Sequence, residues 1–292
     1  EMGDNGYFYV SYYDKSFADD VSIAYLINND SYNRVYQLDV GGDKGYYKDS
    51  KYYLNEFTAE KDELIAAVGT YFDNPGQSYE LAIGVNGIAV YTKTGVSSFG
   101  GYETIKLDKY VQIKKGDVFR VVFQNKAPLI LNSRIHLLPD KSLVSTDVNG
   151  DTWIDLMDAN AVAIAKAYTI TDINITNPLV KYYGNDTPFI AKVGPGETVI
   201  FEFDDENYTV IADENGIAKL PIDKDTGNYN ITTTYNNISI VNYIKINSTI
   251  ISSNVTRGYN SNYNYKIQIL TSAGRPLNNT KVEVSINNKV SK

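Results

Sequence analysis

The feature that most constrains the fold is a period-two alternation of apolar residues in the stretch 101–123, GYETIKLDKYVQIKKGDVFRVVF. Val111 and Ile113 alternate with polar neighbours, and the alternation resumes at Phe119 beyond a polar turn that contains Gly116. A period of two with β-branched and aromatic residues indicates half-buried strands. Gly116 would supply the positive φ of a short hairpin connection. We therefore expect an antiparallel hairpin with one face toward water.

The same pattern recurs through residues 14–169 and predicts an all-β protein. Strand-like segments, separated by turn clusters rich in Asn, Asp and Gly, lie at 21–27, 34–40, 64–72, 79–85 and 87–92. About ten short strands without a convincing helix are typical of a sandwich or jelly roll. At 292 residues the chain is long enough for two or three domains.

Composition excludes several classes of function. The chain has no Cys and 1 His, which excludes disulfides and leaves little room for thiolate, His-centred or multi-His metal chemistry. No nucleotide-binding loop or hydrolase motif is present, so we expect no catalytic residue and no enzymatic activity in this chain. The formal net charge of −8 argues against nucleic-acid partners. No run of 18 apolar residues occurs, so we expect no membrane span.

An ordered set of motifs in the first domain resembles a known family. The motifs are YDxSF at 13–17, VYQxD at 35–39, LNEFTA at 54–59, GYxTIxL at 101–107, KGDxF at 115–119 and AKAYT at 165–169. Together they resemble the lectin-like domain that follows a papain-like cysteine peptidase in adhesin-like surface proteins of methanogenic archaea. The resemblance implies that residues 14–169 form a lectin-like β-sandwich of the jelly-roll type on an exported protein.

Residues 1–13 resemble the end of another domain. The stretch MGDNGYF at 2–8 is similar to the closing strand of papain-like cysteine peptidases, except that Met2 stands where that family has Trp. The resemblance implies that 1–13 is the C-terminal strand of a preceding papain-like domain. None of that family's catalytic positions lies in this chain, so any peptidase activity would reside upstream.

Residues 170–246 are predicted to form an immunoglobulin-like β-sandwich module. The sequence Asp225-x-Gly227-x-Tyr229 resembles the tyrosine corner of such sandwiches, where a Tyr hydroxyl fixes a crossing loop. Residues 247–292 begin the same pattern again and are predicted to be an incomplete second module. A longer repeat array, or strands from another copy, would complete its sheet.

A covalent crosslink between Lys181 and Asn242 is a further hypothesis for the module at 170–246. It would provide stiffness that a chain without Cys otherwise lacks. Loss of ammonia would make the intact mass about 17 Da lower than that calculated from the sequence. An intact mass equal to the calculated value would end the hypothesis.

One acidic segment has the spacing of a calcium loop. Side chains with oxygen ligands stand at positions 1, 3, 5, 9 and 12 of the loop, and these are Asp147, Asn149, Asp151, Asp155 and Asp158. The backbone carbonyl at position 7 would come from Trp153. The segment resembles the calcium loop of dockerin modules. However, Thr152 stands where the turn wants Gly, and 161–168 alternates as a strand would. Calcium is thus the one cofactor considered, and a turn that delivers Trp153 and Ile154 to the core is the alternative.

Tyrosine is frequent, at 26 residues, and is concentrated in the loop GGDKGYYKDSKYY at 41–53. An exposed aromatic ring offers an apolar face for stacking, and neighbouring polar groups can bind hydroxyls. We therefore predict a glycan contact at Tyr46, Tyr47, Tyr52 and Tyr53. Tyrosines on an ordinary wet sheet face are the alternative.

Asn-x-Ser/Thr sequons are clustered beyond residue 169. Each is a glycan acceptor candidate on an exported chain, and they are Asn29, Asn174, Asn185, Asn207, Asn230, Asn237, Asn247, Asn254 and Asn278. The clustering supports an extracellular, cell-surface location.

These features favour a non-catalytic cell-surface adhesin, with a sandwich head that binds glycans or neighbouring cells and an immunoglobulin-like stalk. One alternative is a structural subunit of an extracellular fibre, assembled by strand or module exchange between copies. It draws on the charge asymmetry, since 170–246 has 5 basic and 11 acidic residues and 247–292 has 6 basic and 1 acidic. The other alternative is an accessory region of a surface cysteine peptidase.

Overall fold

The structure, a computed structural model, describes residues 32–41, 43–132, 134–252, 266–286 and 289–291. The predicted peptidase-like strand at 1–13 and the predicted strand at 21–27 lie outside these residues. Almost every regular element of the described chain is a strand, which confirms the all-β prediction. None of its helices is long and apolar enough to cross a membrane.

The first domain contains strands β1 to β13. They are β1 (Arg34–Tyr36), β2 (Asp43–Tyr46), β3 (Tyr52–Thr58), β4 (Glu63–Phe72), β5 (Ser78–Val85), β6 (Ile88–Val96), β7 (Gly101–Ile113), β8 (Val118–Gln124), β9 (Pro128–Leu131), β10 (Ser142–Ser145), β11 (Ile154–Asp155), β12 (Ala161–Ala163) and β13 (Lys166–Thr171). A short 3-10 helix, Met157–Ala159, precedes β12.

The second module contains strands β14 to β20, and four short strands follow it. They are β14 (Leu179–Tyr182), β15 (Phe189–Lys192), β16 (Thr198–Phe203), β17 (Glu206–Ile211), β18 (Ile217–Leu220), β19 (Gly227–Tyr235), β20 (Ile238–Asn247), β21 (Ile250–Ser252), β22 (Ile267–Ile269), β23 (Val284–Ile286) and β24 (Lys289–Ser291).

Two sheets enclose the core of the first domain. One is formed by β1-β13-β4-β7, in that spatial order, as part of a nine-stranded sheet, and the other has the order β11-β10-β3-β8-β5-β6. Alternate residues face inward on strands such as β5, where Leu81, Ile83 and Val85 are all fully buried. A period of two places such residues on one face of a strand. This arrangement confirms the predicted β-sandwich.

The predicted hairpin at 101–123 is wrong in its pairing. The alternation is correct, because Val111 and Phe119 are both 0% exposed. The turn also forms as expected, with Gly116 at a φ of 92°. However, β7 pairs with β4 in one sheet, whereas β8 pairs with β3 and β5 in the other. The turn therefore carries the chain from one sheet of the sandwich to the other, and both strands bury their apolar face in the same core.

A buried asparagine holds β3 against the chain that joins β12 to β13. The side-chain amide of Asn55 donates to the carbonyls of Ala163, at 2.8 Å, and Ala165, at 2.9 Å. Its oxygen accepts a hydrogen bond from the Ser142 hydroxyl at 2.7 Å. Asn55 is 0% exposed, so these protein groups provide the partners that water cannot.

The next residue of β3, Glu56, carries two ion pairs. Its carboxylate lies 2.7 Å from Arg120 and 2.5 Å from Lys141. Burial by itself would raise the pKa of Glu56, but hydrogen bonds from Lys141 and Arg120 outweigh it and lower the pKa below its ordinary value. The ionised carboxylate therefore stabilises the folded state.

The second module has its own core between two sheets. Strands β14, β20, β19, β16 and β17 lie in one sheet, with β14 parallel to β20, and β15 pairs with β18 in the other. Phe189 and Phe201 are fully buried between them, with ring centroids 5.8 Å apart in an edge-to-face arrangement. Edge-to-face contact is a preferred geometry for aromatic pairs.

A glycine turn before β18 is tightly confined. Gly216 has a φ of 74°, and a Cβ added there would overlap the carbonyl oxygen of Val193. Gly196 has the same φ of 74°, but a Cβ there would meet nothing within 4 Å. Both positions require a left-handed backbone conformation, which favours glycine. Only at Gly216 is there also no room for a Cβ atom.

The hypothesis of a Lys181–Asn242 crosslink is wrong for this structure. The Lys181 ammonium donates to the carbonyls of Ile222, at 2.6 Å, and Asn185, at 2.8 Å. Burial lowers the pKa of Lys181. The Asn242 amide instead bonds to Gln112 of the first domain at 2.6 Å. Lys181 is aligned with Ile246 rather than with Asn242, because β14 runs beside the end of β20.

Candidate functional site

The four tyrosines predicted to contact a glycan occupy different environments, and Tyr53 is excluded. It is 1% exposed, its hydroxyl shares a 2.6 Å hydrogen bond with Thr70, and its ring stacks on Phe123 at a centroid distance of 5.3 Å. Burial raises the pKa of the Tyr53 hydroxyl. The residue fails as a surface contact because neighbours on a strand point to opposite faces, so Tyr52 and Tyr53 cannot both face outward.

Tyr46 and Tyr47 are already engaged by the protein. The ammonium groups of Lys44 and Lys126 lie 4.8 Å and 4.1 Å from the Tyr46 ring centroid, as cation–π contacts. Burial raises the pKa of Tyr46, and the nearby carboxylate of Asp73 adds to the effect. Tyr47 packs against the core of the first domain. Neither ring therefore presents a free face of the kind that the sequence analysis expected.

Of the four tyrosines, Tyr52 is the one that lies at the protein surface next to another aromatic side chain, that of Trp153. Its hydroxyl donates to the carbonyl of Val148 at 3.2 Å, 96 residues along the chain. Its ring centroid lies 6.4 Å from that of Trp153, at an interplanar angle of 57°. Both side chains are half-buried. A Cβ added at Gly150 would lie 3.5 Å from the Tyr52 ring, so the loop passes directly over it.

The predicted calcium loop is this same loop, and its carboxylates serve a different purpose. The oxygens of Asp147 accept the backbone N–H groups of Asn149, at 3.0 Å, and Asp151, at 3.2 Å. Those of Asp155 accept the N–H groups of Met157, at 2.9 Å, and Asp140, at 2.7 Å. These are local turn-stabilising bonds of the Asx type.

The calcium site stays a prediction, and the geometry of the loop argues against it. Within the described part of the chain, no three acidic, His or Cys side chains converge so as to hold a metal ion, and Asp158 lies in the 3-10 helix. The segment after it is β12 and β13 rather than the helix that such a loop requires. The alternative, a turn that delivers Trp153 and Ile154 to the core, is wrong in its residues, because Trp153 is half-buried outside the core, Ile154 is 43% exposed, and Leu156 is the residue that enters the core.

A shallow pocket of about 380 Å³ lies next to Tyr52, because its lining includes Gln124, the cross-strand partner of Tyr52, and Val148, whose carbonyl accepts the Tyr52 hydroxyl. Its walls come from the segment before β3, the end of β8 and the loop after β10, and the lining residues are Ser50, Lys51, Ser78, Gln124, Asn125, Lys126 and Val148. The side chains of Lys51 and Gln124 have no hydrogen-bond partner among the residues that the structure describes. We call the pocket, together with the neighbouring rings of Tyr52 and Trp153, the Tyr52–Trp153 patch.

The patch places apolar ring surface beside polar groups. Tyr52 and Trp153 offer apolar ring surface, and the amide of Gln124 and the ammonium of Lys51 are available to hydroxyl or anionic groups. Asn125 is more constrained, since its amide donates to the Ser78 carbonyl at 2.9 Å. Tyr52 and Trp153 were predicted for two separate sites, because no local signal in the sequence brings them together.

A larger cleft, of about 570 Å³, lies between the first domain and the second module. Its polar groups are mostly paired with one another. The Lys109 ammonium lies 2.7 Å from Glu202, and the Tyr91 hydroxyl donates to Asp108, which lowers the pKa of that carboxyl group. The cleft could not be predicted from the sequence, because residues that face each other across it, such as Lys109 and Glu202, are 93 residues apart. The saturated pairing makes it a weaker candidate than the Tyr52–Trp153 patch.

The sequons also differ in their environments. Asn29 and Asn254 lie outside the described residues, and Asn247 is half-buried. Three others use their side-chain amide in a hydrogen bond to a carbonyl, which is that of Asp172 for Asn174, Ser272 for Asn185 and Ala89 for Asn230. The exposed positions where no such bond is described are Asn207, Asn237 and Asn278.

Comparisons with known proteins bear on the first domain. Residues 35–169 match the family model described as the lectin like domain. No curated protein matches the chain. The family match begins within β1 and ends within β13, so it covers the first sandwich and none of the second module.

Among solved structures, the chain is similar to a clostridial cysteine protease, Cwp84, after propeptide cleavage. The identity is 19%, the TM-score is 0.38, and the match covers 48% of this chain and 40% of that one. It is also similar to the cysteine protease and lectin-like domains of Cwp84, a surface layer associated protein of Clostridium difficile, at 19% identity and a TM-score of 0.37, over 48% and 36% of the two chains. A β-glucuronidase from Ruminococcus gnavus matches at 13% identity and a TM-score of 0.20, over 74% and 39%.

This chain thus spans at most 40% of the length of each of these three proteins. The family match is confined to the region of β1 to β13, where two larger sheets face each other and β12, β9 and β2 form a third, three-stranded sheet. The first sandwich of this chain is therefore a lectin-like domain.

Proposed function

We propose that the lectin-like domain binds a carbohydrate at the Tyr52–Trp153 patch, as the head of a non-catalytic cell-surface adhesin. The observation that carries the proposal is the half-exposed aromatic pair beside a polar pocket, with Lys51 and Gln124 available to a ligand. The match to the lectin-like family supports it. The extracellular location and the archaeal origin rest on the ordered motifs and on the exposed sequons.

The second module is, under this proposal, an immunoglobulin-like part of the stalk. Two features support that assignment. The hydroxyl of Tyr229 donates to the carbonyl of Asp225 at 2.9 Å, as the tyrosine corner of such folds requires. The first strand β14 runs parallel to the last strand β20 and closes the sheet that β19, β16 and β17 continue.

A glycan array probed with the full chain, followed by titration of the best ligand, tests the binding head. The single Trp of the chain is Trp153, so its fluorescence reports binding directly. We expect Trp153→Ala to weaken binding about tenfold or more, since removing a central aromatic contact often costs over 1 kcal/mol. That variant is titrated by calorimetry, because it no longer carries the fluorophore.

The matched control is Tyr183→Ala, which removes an aromatic side chain that is 48% exposed in the second module. We expect its affinity to equal that of the unmodified chain. An array without any ligand, or a Trp153→Ala variant with unchanged affinity, would refute the proposed patch.

The accessory region of a cysteine peptidase is the second candidate function, favoured by the stretch at 2–8. Under this hypothesis the lectin-like domain would hold an upstream peptidase domain on its substrate surface. Sequencing the coding region upstream of this chain tests it, and the absence of a papain-like domain there would exclude it.

A further inference from the structure

The lectin-like domain and the second module share one β-sheet. The nine-stranded sheet runs from β1, β13, β4 and β7 directly into β20, β19, β16 and β17. Strand β7 pairs in parallel with β20, with Tyr110 opposite Ile240 and Val111 opposite Val241. The described residues from Tyr32 onward fall in one compact unit. The boundary predicted at 169/170 is thus visible in the sequence pattern, but the hydrogen-bonded sheet continues across it.

A buried polar network seals this junction. The amide of Gln112 on β7 donates to Asp172, at 2.8 Å, and to the carbonyl of Thr176, at 2.7 Å. Its oxygen accepts the amide of Asn242 on β20 at 2.6 Å, and Asn242 accepts the Thr176 hydroxyl at 2.7 Å. Gln112 and Asn242 are each 2% exposed. Every group in the chain Gln112–Asn242–Thr176 therefore finds its partner within the protein.

The segment that connects β13 to β14 is held by hydrogen bonds and an ion pair. Asp172 is 4% exposed, and its carboxylate also binds the Lys114 ammonium at 2.6 Å. Its second oxygen accepts the backbone N–H of Asn174 at 2.9 Å. The linker is therefore fastened to the turn that follows β7, whereas a flexible linker has few contacts and an exposed backbone.

We infer that the lectin-like domain and residues 172–247 form a single cooperative unit, in which the second module holds the head in one fixed orientation. The junction is not a hinge between a head and a stalk repeat. Buried polar networks in which every member is satisfied are specific, because any displacement leaves a buried group without its partner. Any flexibility of the stalk then begins after β20. This inference is independent of what the lectin-like domain binds.

The experiment uses the full chain and exploits the position of Trp153 in the lectin-like domain. Phe189→Leu perturbs the core of the second module, on a strand outside the shared sheet. Thermal unfolding is followed by Trp153 fluorescence, excited where tyrosine does not absorb, and by circular dichroism of the whole chain. For a unit of this size, each kcal/mol of destabilisation lowers Tm by about 2–4 °C. We expect the transition midpoints of the Trp153 fluorescence and of the circular dichroism to decrease together by several degrees.

Independent domains would behave differently. The Trp153 transition would keep the midpoint of the unmodified chain, while circular dichroism would split into two transitions. That result would overturn the inference. The two outcomes can also be distinguished if Phe189→Leu prevents the second module from folding, because the Trp153 midpoint then shows whether the lectin-like domain is destabilised with it.

A second variant addresses the network itself. Asn242→Ala, in the second module, is expected to lower the Trp153 midpoint and to expose the linker 172–178 to limited proteolysis. The matched control is Asn228→Ala, an exposed strand position for which no side-chain hydrogen bond is described. A linker that stays protected and a Trp153 midpoint that stays unchanged in Asn242→Ala would contradict the role of the network.

Discussion

The buried side chain of Asn55 gives the sharpest test of how the sandwich is held together. Asn55→Ala removes the two donors that reach the carbonyls of Ala163 and Ala165, and it removes the acceptor of the Ser142 hydroxyl. The position is 0% exposed, so water cannot replace these partners. The variant therefore leaves three buried polar groups with fewer bonds than they can make.

The expected magnitude follows from these contacts. Each buried polar group left without its partner costs about 1–3 kcal/mol. The Ala163 carbonyl also accepts the N–H of Ala165 at 3.2 Å, so the low end of the range applies. Three groups then cost about 3 kcal/mol, which lowers Tm by about 6–12 °C in a unit of this size.

Two further variants separate hydrogen bonding from shape. Asn55→Asp keeps the shape but directs a carboxylate oxygen at two carbonyls, so we expect it to destabilise at least as much as Ala at neutral pH. Asn55→Leu fills the volume with apolar atoms and should not rescue the loss. Calorimetry of the three variants, with Asn228→Ala as an exposed control, measures these shifts. A Tm loss below about 2 °C for Asn55→Ala, or full rescue by Leu, would refute the reasoning, since surface changes alone stay within about 0.5 kcal/mol.

Three other predictions concern acid stability, backbone space and modification. The two ion pairs of Glu56 lower the pKa of its carboxyl group below the ordinary 4.5, so the stabilisation by the ionised carboxylate is present above pH 4.5 and is lost as the pH falls through the lowered pKa. The Tm difference between the unmodified chain and Glu56→Gln should therefore shrink on acidification. A Tm difference that stays constant with pH would contradict this prediction. Gly216→Ala should lower Tm more than Gly196→Ala, because both have a φ of 74° but only the first overlaps a carbonyl; equal losses would show that φ alone matters. Peptide mass spectrometry of the natively produced protein should find glycans at Asn207, whose exposed amide has no described bond, and not at Asn174, and the reverse pattern would contradict the role of amide availability.

The sequence predicted the strands well because strand formation leaves a local trace. The strand-like segment at 64–72 corresponds to β4 over Glu63–Phe72, and the alternation at 161–168 corresponds to β12 and β13 rather than a helix. The positive φ of Gly116 was also predictable, since a turn of this type needs it. These features depend on residues only a few positions apart.

The candidate site was predictable only in part. Tyr52 and Trp153 were both named, but for two different sites, and the calcium loop turned out to be a turn whose carboxylates bind its own backbone. Spacing alone cannot distinguish a carboxylate that waits for a metal from one that caps a turn, because both use Asp and Asn at alternate positions. Which tyrosine faces the core depended on the strand's orientation in the sandwich.

The sequence by itself determined that this chain is built from strands, where its turns are and which residues of β7 and β8 are apolar on one face. Only the tertiary structure decided that β7 and β8 belong to opposite sheets and that β7 pairs with β20 of the next module. The physical reason is that any strand edge presents the same backbone donors and acceptors, so local sequence does not name its partner. The partner is selected by the whole set of buried contacts, as Gln112 and Asn242 illustrate across 130 residues of sequence.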